Sequence, residues 1–146
     1  MGQDQESIGR ATATANFALS KYWGKQPGGM QQPAVPSISV GIHGLTAEAE
    51  VRLNYGSRGD HEILISGNPA NAQTCSRIGT LLNAVFARSG RSAQALVRSD
   101  TRFPIAAGLA SSAAGMAAVA GAAWIAAGLD PRDRSAIADC ARLGSG

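Results

Sequence analysis

The sequence has 146 residues, 45% of them hydrophobic, and a net charge of +3. That length carries one domain with a real core and is short for two, and the apolar fraction excludes a chain disordered by composition. The mild positive charge suits an anionic ligand such as a phosphate ester without specifying one.

Taken in order, residues 1–9 read as a flexible polar tail, followed by a strand over 11–22. Residues 24–36 form a loop in which Pro33 and Pro36 exclude regular helix. A short strand over 37–41 precedes a second one over 45–55, where Ala47, Ala49, Val51 and Leu53 alternate with Glu48, Glu50, Arg52 and Asn54. Residues 56–60 read as a turn and 61–66 as the returning strand of a hairpin. Asn71 or Thr74 caps a helix to about residue 88, with Ile78, Leu81, Leu82, Val85 and Phe86 on one face. A strand over 93–99 and a loop over 100–108 lead to a helix of small residues over 110–127, ended by Gly128. Asp130 as N-cap and Pro131 at the first position open a last helix to Arg142. Strands early and helices late give an α+β domain.

Residues 103–129 hold no charge and are long enough to span a bilayer, but their Ala, Gly and Ser composition favours a buried helix. Cys75 and Cys140 have no metal-binding spacing and no CxxC partner, so they read as free thiols of a reducing compartment.

Two segments carry chemistry. The first is Pro104-Ile105-Ala106-Ala107-Gly108-Leu109-Ala110-Ser111-Ser112, a small-residue loop running into a helix. Unpaired N–H groups and the positive dipole end make a helix start an anion site. Gly108 permits close approach of a phosphate, and Ser111 and Ser112 offer hydroxyls to phosphate oxygens or to a magnesium ion. No Gly-Lys-Ser/Thr follows, so this is not a Walker loop. A tightly packed helix with a serine cap accounts for the same residues equally well.

The second segment is Lys21-Tyr22-Trp23-Gly24-Lys25. Eleven of the thirteen basic residues are arginine, and the two lysines stand four apart here. Lysine acts on phosphate as a point charge, so both ammonium groups suit one polyphosphate; a strand end with packed aromatics is the plainer reading. Other classes lack residues: there is no Ser-His-Asp set, no metal-ligand cluster and no carboxylate pair. The arginines are spread rather than gathered into a nucleic-acid stripe.

Together the segments resemble the mevalonate diphosphate decarboxylase family of the GHMP kinase superfamily. Asn16-Phe17-Ala18-Leu19-Ser20-Lys21-Tyr22-Trp23-Gly24-Lys25 matches its first signature with Phe17 for the usual Ile. Residues 103–115 match the second, apart from Ile105 where Thr is frequent, and residues 141–146 begin the third. The resemblance implies an N-terminal GHMP domain over residues 10–146, of the ribosomal protein S5 domain 2-like kind, stopping inside a Gly-Ser-Gly loop and incomplete without a C-terminal half. It implies ATP-dependent decarboxylation of (R)-5-diphosphomevalonate to isopentenyl diphosphate, ADP, phosphate and CO2, in isoprenoid synthesis in the cytoplasm. Phosphorylation converts a tertiary hydroxyl into a good leaving group, and the departing carboxylate supplies the electrons.

By the same resemblance, Lys21 is catalytic. Tyr22, Trp23, Gly24, Lys25, Arg77, Ser145 and Gly146 bind substrate. Ala107, Gly108, Leu109, Ala110, Ser111 and Ser112 bind ATP, and Ser111 also meets Mg2+. A homodimer without nucleic-acid or membrane partners is implied. Val35-Pro36 replaces polar residues usual in the family, which leaves a mono- or a diphosphorylated substrate open. The family's catalytic aspartate corresponds to no acid in these 146 residues, so the chain by itself is expected to be inactive and to expose apolar surface. The alternatives are a GHMP kinase that phosphorylates without decarboxylating, such as a mevalonate 3-kinase or phosphomevalonate kinase, and a non-catalytic phosphate-binding module.

Overall fold

A computed structural model describes residues 5–20, 24–28, 33–103 and 111–145. The elements are β1 (Glu6–Ser20), β2 (Ile38–Asn54), β3 (Glu62–Ile65), β4 (Asn68–Pro69), α1 (Ala72–Ser89), β5 (Gln94–Thr101), α2 (Ser111–Ala126) and α3 (Arg134–Ser145). The strands form one mixed sheet in the order β1-β2-β5-β3-β4. Helices cover one face, to which Ala47, Ala49, Val51 and Leu53 of β2 and Ala95, Val97 and Ser99 of β5 turn. The alternation read from the sequence thus sorts β2 into core and solvent sides.

The outer face carries ion pairs: Glu50 takes hydrogen bonds from Arg52 and Arg10, which hold its carboxyl below the usual range, and Glu48 meets Arg102 at 2.8 Å.

Several boundaries differ from the sequence reading. β1 begins at Glu6, inside the segment read as a tail, because residues 6–14 pair in register with β2 from Asn54 to Thr46. The two strands read over 37–41 and 45–55 are one strand. The ladder jumps from Thr14↔Thr46 to Asn16↔Gly41, so one residue of β1 faces four of β2, with Gly44 at φ +88° in that bulge. The strand over 61–66 does not return along β2. β3 lies parallel to β5, from Glu62↔Leu96 to Ile65↔Ser99, and α1 is the crossover between them. β3 makes its hairpin with β4 instead, through Ser66 and Gly67 at φ 48° and 77°, both on the left-handed side as a two-residue hairpin turn requires.

Asn71 caps α1, its side chain accepting from Thr74 N at 2.8 Å, and Gly90 in the left-handed region closes it. α3 starts later than expected. Asp130 heads a turn, its carboxylate accepting from Arg132 N and its carbonyl from Asp133 N and the Trp124 indole; Asp133 is the cap, accepting from Ala136 N at 3.0 Å.

α2 packs on β1, β2, β5 and both other helices, and its composition explains how. A Cβ on Gly9 of β1 would lie 2.0 Å from the Ala122 carbonyl oxygen, and one on Gly121 would lie 2.9 Å from Ala11 Cβ. Helix and strand touch nearly backbone to backbone, which only Gly and Ala allow. The uncharged stretch is therefore core: Ala118, Val119, Ala120, Ala122, Ala123 and Trp124 are buried. No helix among the described residues is long and apolar enough to cross a membrane.

The helix layer stops at Ala15. Beyond it the β1–β2 pair continues as an arm in which Phe17, Leu19, Val35, Ile38 and Val40 are exposed, Phe17 directly opposite Val40. Most of the exposed large apolar side chains among the described residues lie there.

Candidate functional site

The site forms where α2 begins. Its first N–H groups lack intrahelical acceptors, and its dipole presents positive potential there. Ser111 opens the helix and Ser112 is exposed. The loop before it, with Ala107, Gly108, Leu109 and Ala110, lies outside the described residues, so the phosphate-loop reading keeps Ser111 and Ser112 as its described members.

Next to this helix start is a cavity of about 250 Å³. Ser112, Gly115, Met116 and Val119 of α2 form one wall, and Thr74, Arg77 and Ile78 of α1 another. Ile65 of β3 and Ser99 and Thr101 of β5 complete it. The β3–α1–β5 crossover creates this space, because it sets α1 beside α2 over the C-terminal ends of two parallel strands. Apolar walls suit a flat apolar group; hydroxyls and a guanidinium at the margin suit polar and anionic ones. Thr74 is read from the sequence only as a possible helix cap, and Ser99, Thr101 and Met116 do not emerge from it at all, although Ser99 left a signal: a polar residue in phase with the core positions of its strand, and the buried polar residue of the described core.

Arg77, half-buried in the first turns of α1, was assigned to the substrate alongside Lys25. It lines the cavity with Ser112, and that cavity includes neither Gly24 nor Lys25. Those two sit on the arm. Lys25 bridges Pro33, and the Gly24 carbonyl accepts from Ala34 N at 3.2 Å. Lys21, Tyr22 and Trp23 lie outside the described residues.

Ser145, expected to begin a loop, is instead the last residue of α3, and Gly146 lies outside the described residues. The helix runs through Gly144 because that residue is buried where α3 crosses α1 and α2. A Cβ there would meet Met116 Sδ at 2.9 Å, Leu81 Cδ1 at 3.3 Å and the Arg77 carbonyl oxygen at 3.4 Å.

Among the described residues no three His, Cys, Asp or Glu side chains gather to hold a metal. Cys140 is buried, and burial pushes its thiol up, away from nucleophilic use.

A mixed sheet with helices on one face, and a helix start beside a cavity, define the class: an α+β domain. Residues 13–146 match the diphosphomevalonate decarboxylase-like N-terminal domain family, and the chain belongs to it. The chain is 33% identical to the diphosphomevalonate decarboxylase of Eremothecium gossypii over 155 residues, covering 95% of this chain and 38% of that protein. With the Candida albicans enzyme it shares 34% over 146 residues, covering 92% and 40%. The crystal structure of the Staphylococcus aureus mevalonate diphosphate decarboxylase superposes with a TM-score of 0.84 at 31% identity, over 97% of this chain and 43% of that one. A structure described as MDDEF in complex with MVAPP, AMPPCP and magnesium gives 0.84 at 34%, over 97% and 43%. This chain thus spans about two fifths of the length of these relatives.

Proposed function

We propose that this chain forms the nucleotide- and substrate-binding part of an ATP-dependent diphosphomevalonate decarboxylase. The carrying observation is the cavity beside the start of α2, with Ser112 and Arg77 in its wall. In this reading the ATP phosphates lie against residues 107–112, where helix N–H groups and serine hydroxyls meet their charge. The nucleoside enters the cavity, its base between Ile65, Ile78 and Val119 and its sugar toward Ser99 and Thr101. Arg77 then serves the nucleotide side, and Lys25 the diphosphate of the other substrate.

Magnesium binds through few protein ligands and retains waters and phosphate oxygens. A serine hydroxyl at the helix start fits that demand, and Ser111 is the residue proposed to meet it. Bound there, the ion would draw charge from the phosphates as the phosphoryl group moves. Lys21 is the proposed partner of the tertiary hydroxyl that receives it, with Tyr22, Trp23, Gly24, Ser145 and Gly146 around the substrate. A cytoplasmic homodimer remains part of this reading.

Titration calorimetry with AMPPCP and magnesium tests it. The chain binds the analogue, and Arg77→Ala and Ser112→Ala each weaken binding about tenfold, the value of one hydrogen bond to a charged group. Absence of binding by the unaltered chain, or full affinity in both variants, would falsify the assignment.

A further inference from the structure

Gly144 stands where its neighbours in α3 use alanine: Ala136, Ala138 and Ala141 fill the same helix. Alanine is the better helix residue by about 1 kcal/mol, so a buried glycine here needs a reason in packing. The reason is Met116. The space a Cβ at 144 would occupy is bounded on two sides by Leu81 and the Arg77 carbonyl, and on the third by the Met116 sulfur at 2.9 Å. A backbone carbonyl within a helix cannot yield; a methionine side chain can. Met116 is also in the wall of the cavity that Ser112 and Arg77 border. The open space beside Met116 is that cavity.

We infer that Gly144 is a positioning residue for the nucleotide: its missing side chain keeps Met116 drawn back against α3 and the cavity open to the nucleoside. The inference rests on the nucleotide reading above. It also gives the end of α3, next to Ser145, a mechanical link to the cavity through a single side chain. An added methyl at 144 drives Met116 into the space the base and sugar need, and leaves the helix start that receives the phosphates untouched.

The test compares two probes, magnesium AMPPCP and magnesium tripolyphosphate, on the full chain. Gly144→Ala should weaken AMPPCP about tenfold and leave tripolyphosphate unchanged. Adding Met116→Ala to Gly144→Ala should restore AMPPCP. In chain labelled at its methionine methyl groups, Gly144→Ala should shift the Met116 resonance before any ligand is added.

Equal AMPPCP affinity in Gly144→Ala overturns the inference. So does equal weakening of both probes, which marks a general structural defect, or failure of the double variant to recover. If the unaltered chain binds tripolyphosphate but not AMPPCP, the phosphate site stands while the cavity reading falls and takes the inference with it. If it binds neither, the nucleotide reading itself is wrong.

Discussion

His61 acts as a piece of backbone. It precedes β3, and its Nδ1 accepts the N–H of Ala95 at 3.1 Å, filling the ladder position before Glu62 pairs with Leu96. Its ring also meets Phe86, 6.1 Å between centroids. Only the neutral imidazole can accept at Nδ1. Burial lowers its pKa, and the nearby Asp60 carboxylate opposes this less strongly. A depressed folded pKa means that its stabilisation is fully present above the unfolded value of about 6.5 and is lost as pH falls through the folded one. Thermal unfolding followed from pH 7.5 downward should therefore show a stability loss beginning in the mildly acid range. His61→Gln, which retains an acceptor that does not titrate, should flatten that loss; an unchanged pH profile would assign the loss to other groups.

At the scale of elements, α2 against β1 is the contact that admits least change. The obstacles to a Cβ at Gly9 are the Ala122 carbonyl oxygen and, at 2.6 Å, the Ala126 amide nitrogen, both backbone. Gly9→Ala should cost about 2–3 kcal/mol in urea unfolding, at the upper end for overpacking. At Gly79, where a Cβ would meet nothing within 4 Å, the same substitution should be neutral or stabilising. A Gly9→Ala variant as stable as the parent would mean that α2 rides further from the sheet.

This contact also marks what was legible in the sequence. The alternation in β2, the apolar stripe of α1 and the small-residue character of α2 follow from local periodicity, and the structure agrees with them; of the two caps the sequence offers for α1, Asn71 and Thr74, the helix uses Asn71. Strand partnership does not follow from local pattern. β3 was paired with its sequence neighbour, whereas its partner is β5, some thirty residues on. Asp130-Pro131 made a convincing helix start, yet Asp133 competed successfully because Asp130 was already committed to a turn and to the Trp124 indole. Of the residues lining the cavity, Ser112 stands out in the sequence as a hydroxyl at a helix start, whereas Arg77 is named there only through the family resemblance, as a substrate residue. That they share a cavity depends on the crossover, and is invisible until β5 is in place.

Across the whole molecule, apolar exposure is unevenly distributed. Besides Ile8 and Ile125, the exposed large apolar side chains of the described residues are on the arm, where Phe17 is 54% and Leu19 65% accessible. β1 is moreover an edge strand of the sheet, so this apolar ribbon borders unpaired backbone, a combination that promotes association. Light scattering should show concentration-dependent association of the chain at neutral pH. The Phe17→Ser, Val40→Thr double variant should reduce it while leaving the melting temperature nearly unchanged, since neither side chain is in the core. Association that persists undiminished would locate the sticky surface elsewhere.

The strand order has one more consequence, for the time course of folding. β5 lies between β2 and β3, yet it is the last of the described strands in chain order. β1 and β2 can zip as a hairpin and α1 can coil as they emerge, but neither β2 nor β3 has its inner neighbour until residues 94–101 arrive. Closing the sheet therefore waits on a long-range event, insertion of a finished strand between two open edges, with the attendant loop-closure entropy. Until then both inner edges stand open to strands of other chains. The cavity has no earlier existence than the sheet: its floor is β5, so that space opens only once residues 94–101 are in place.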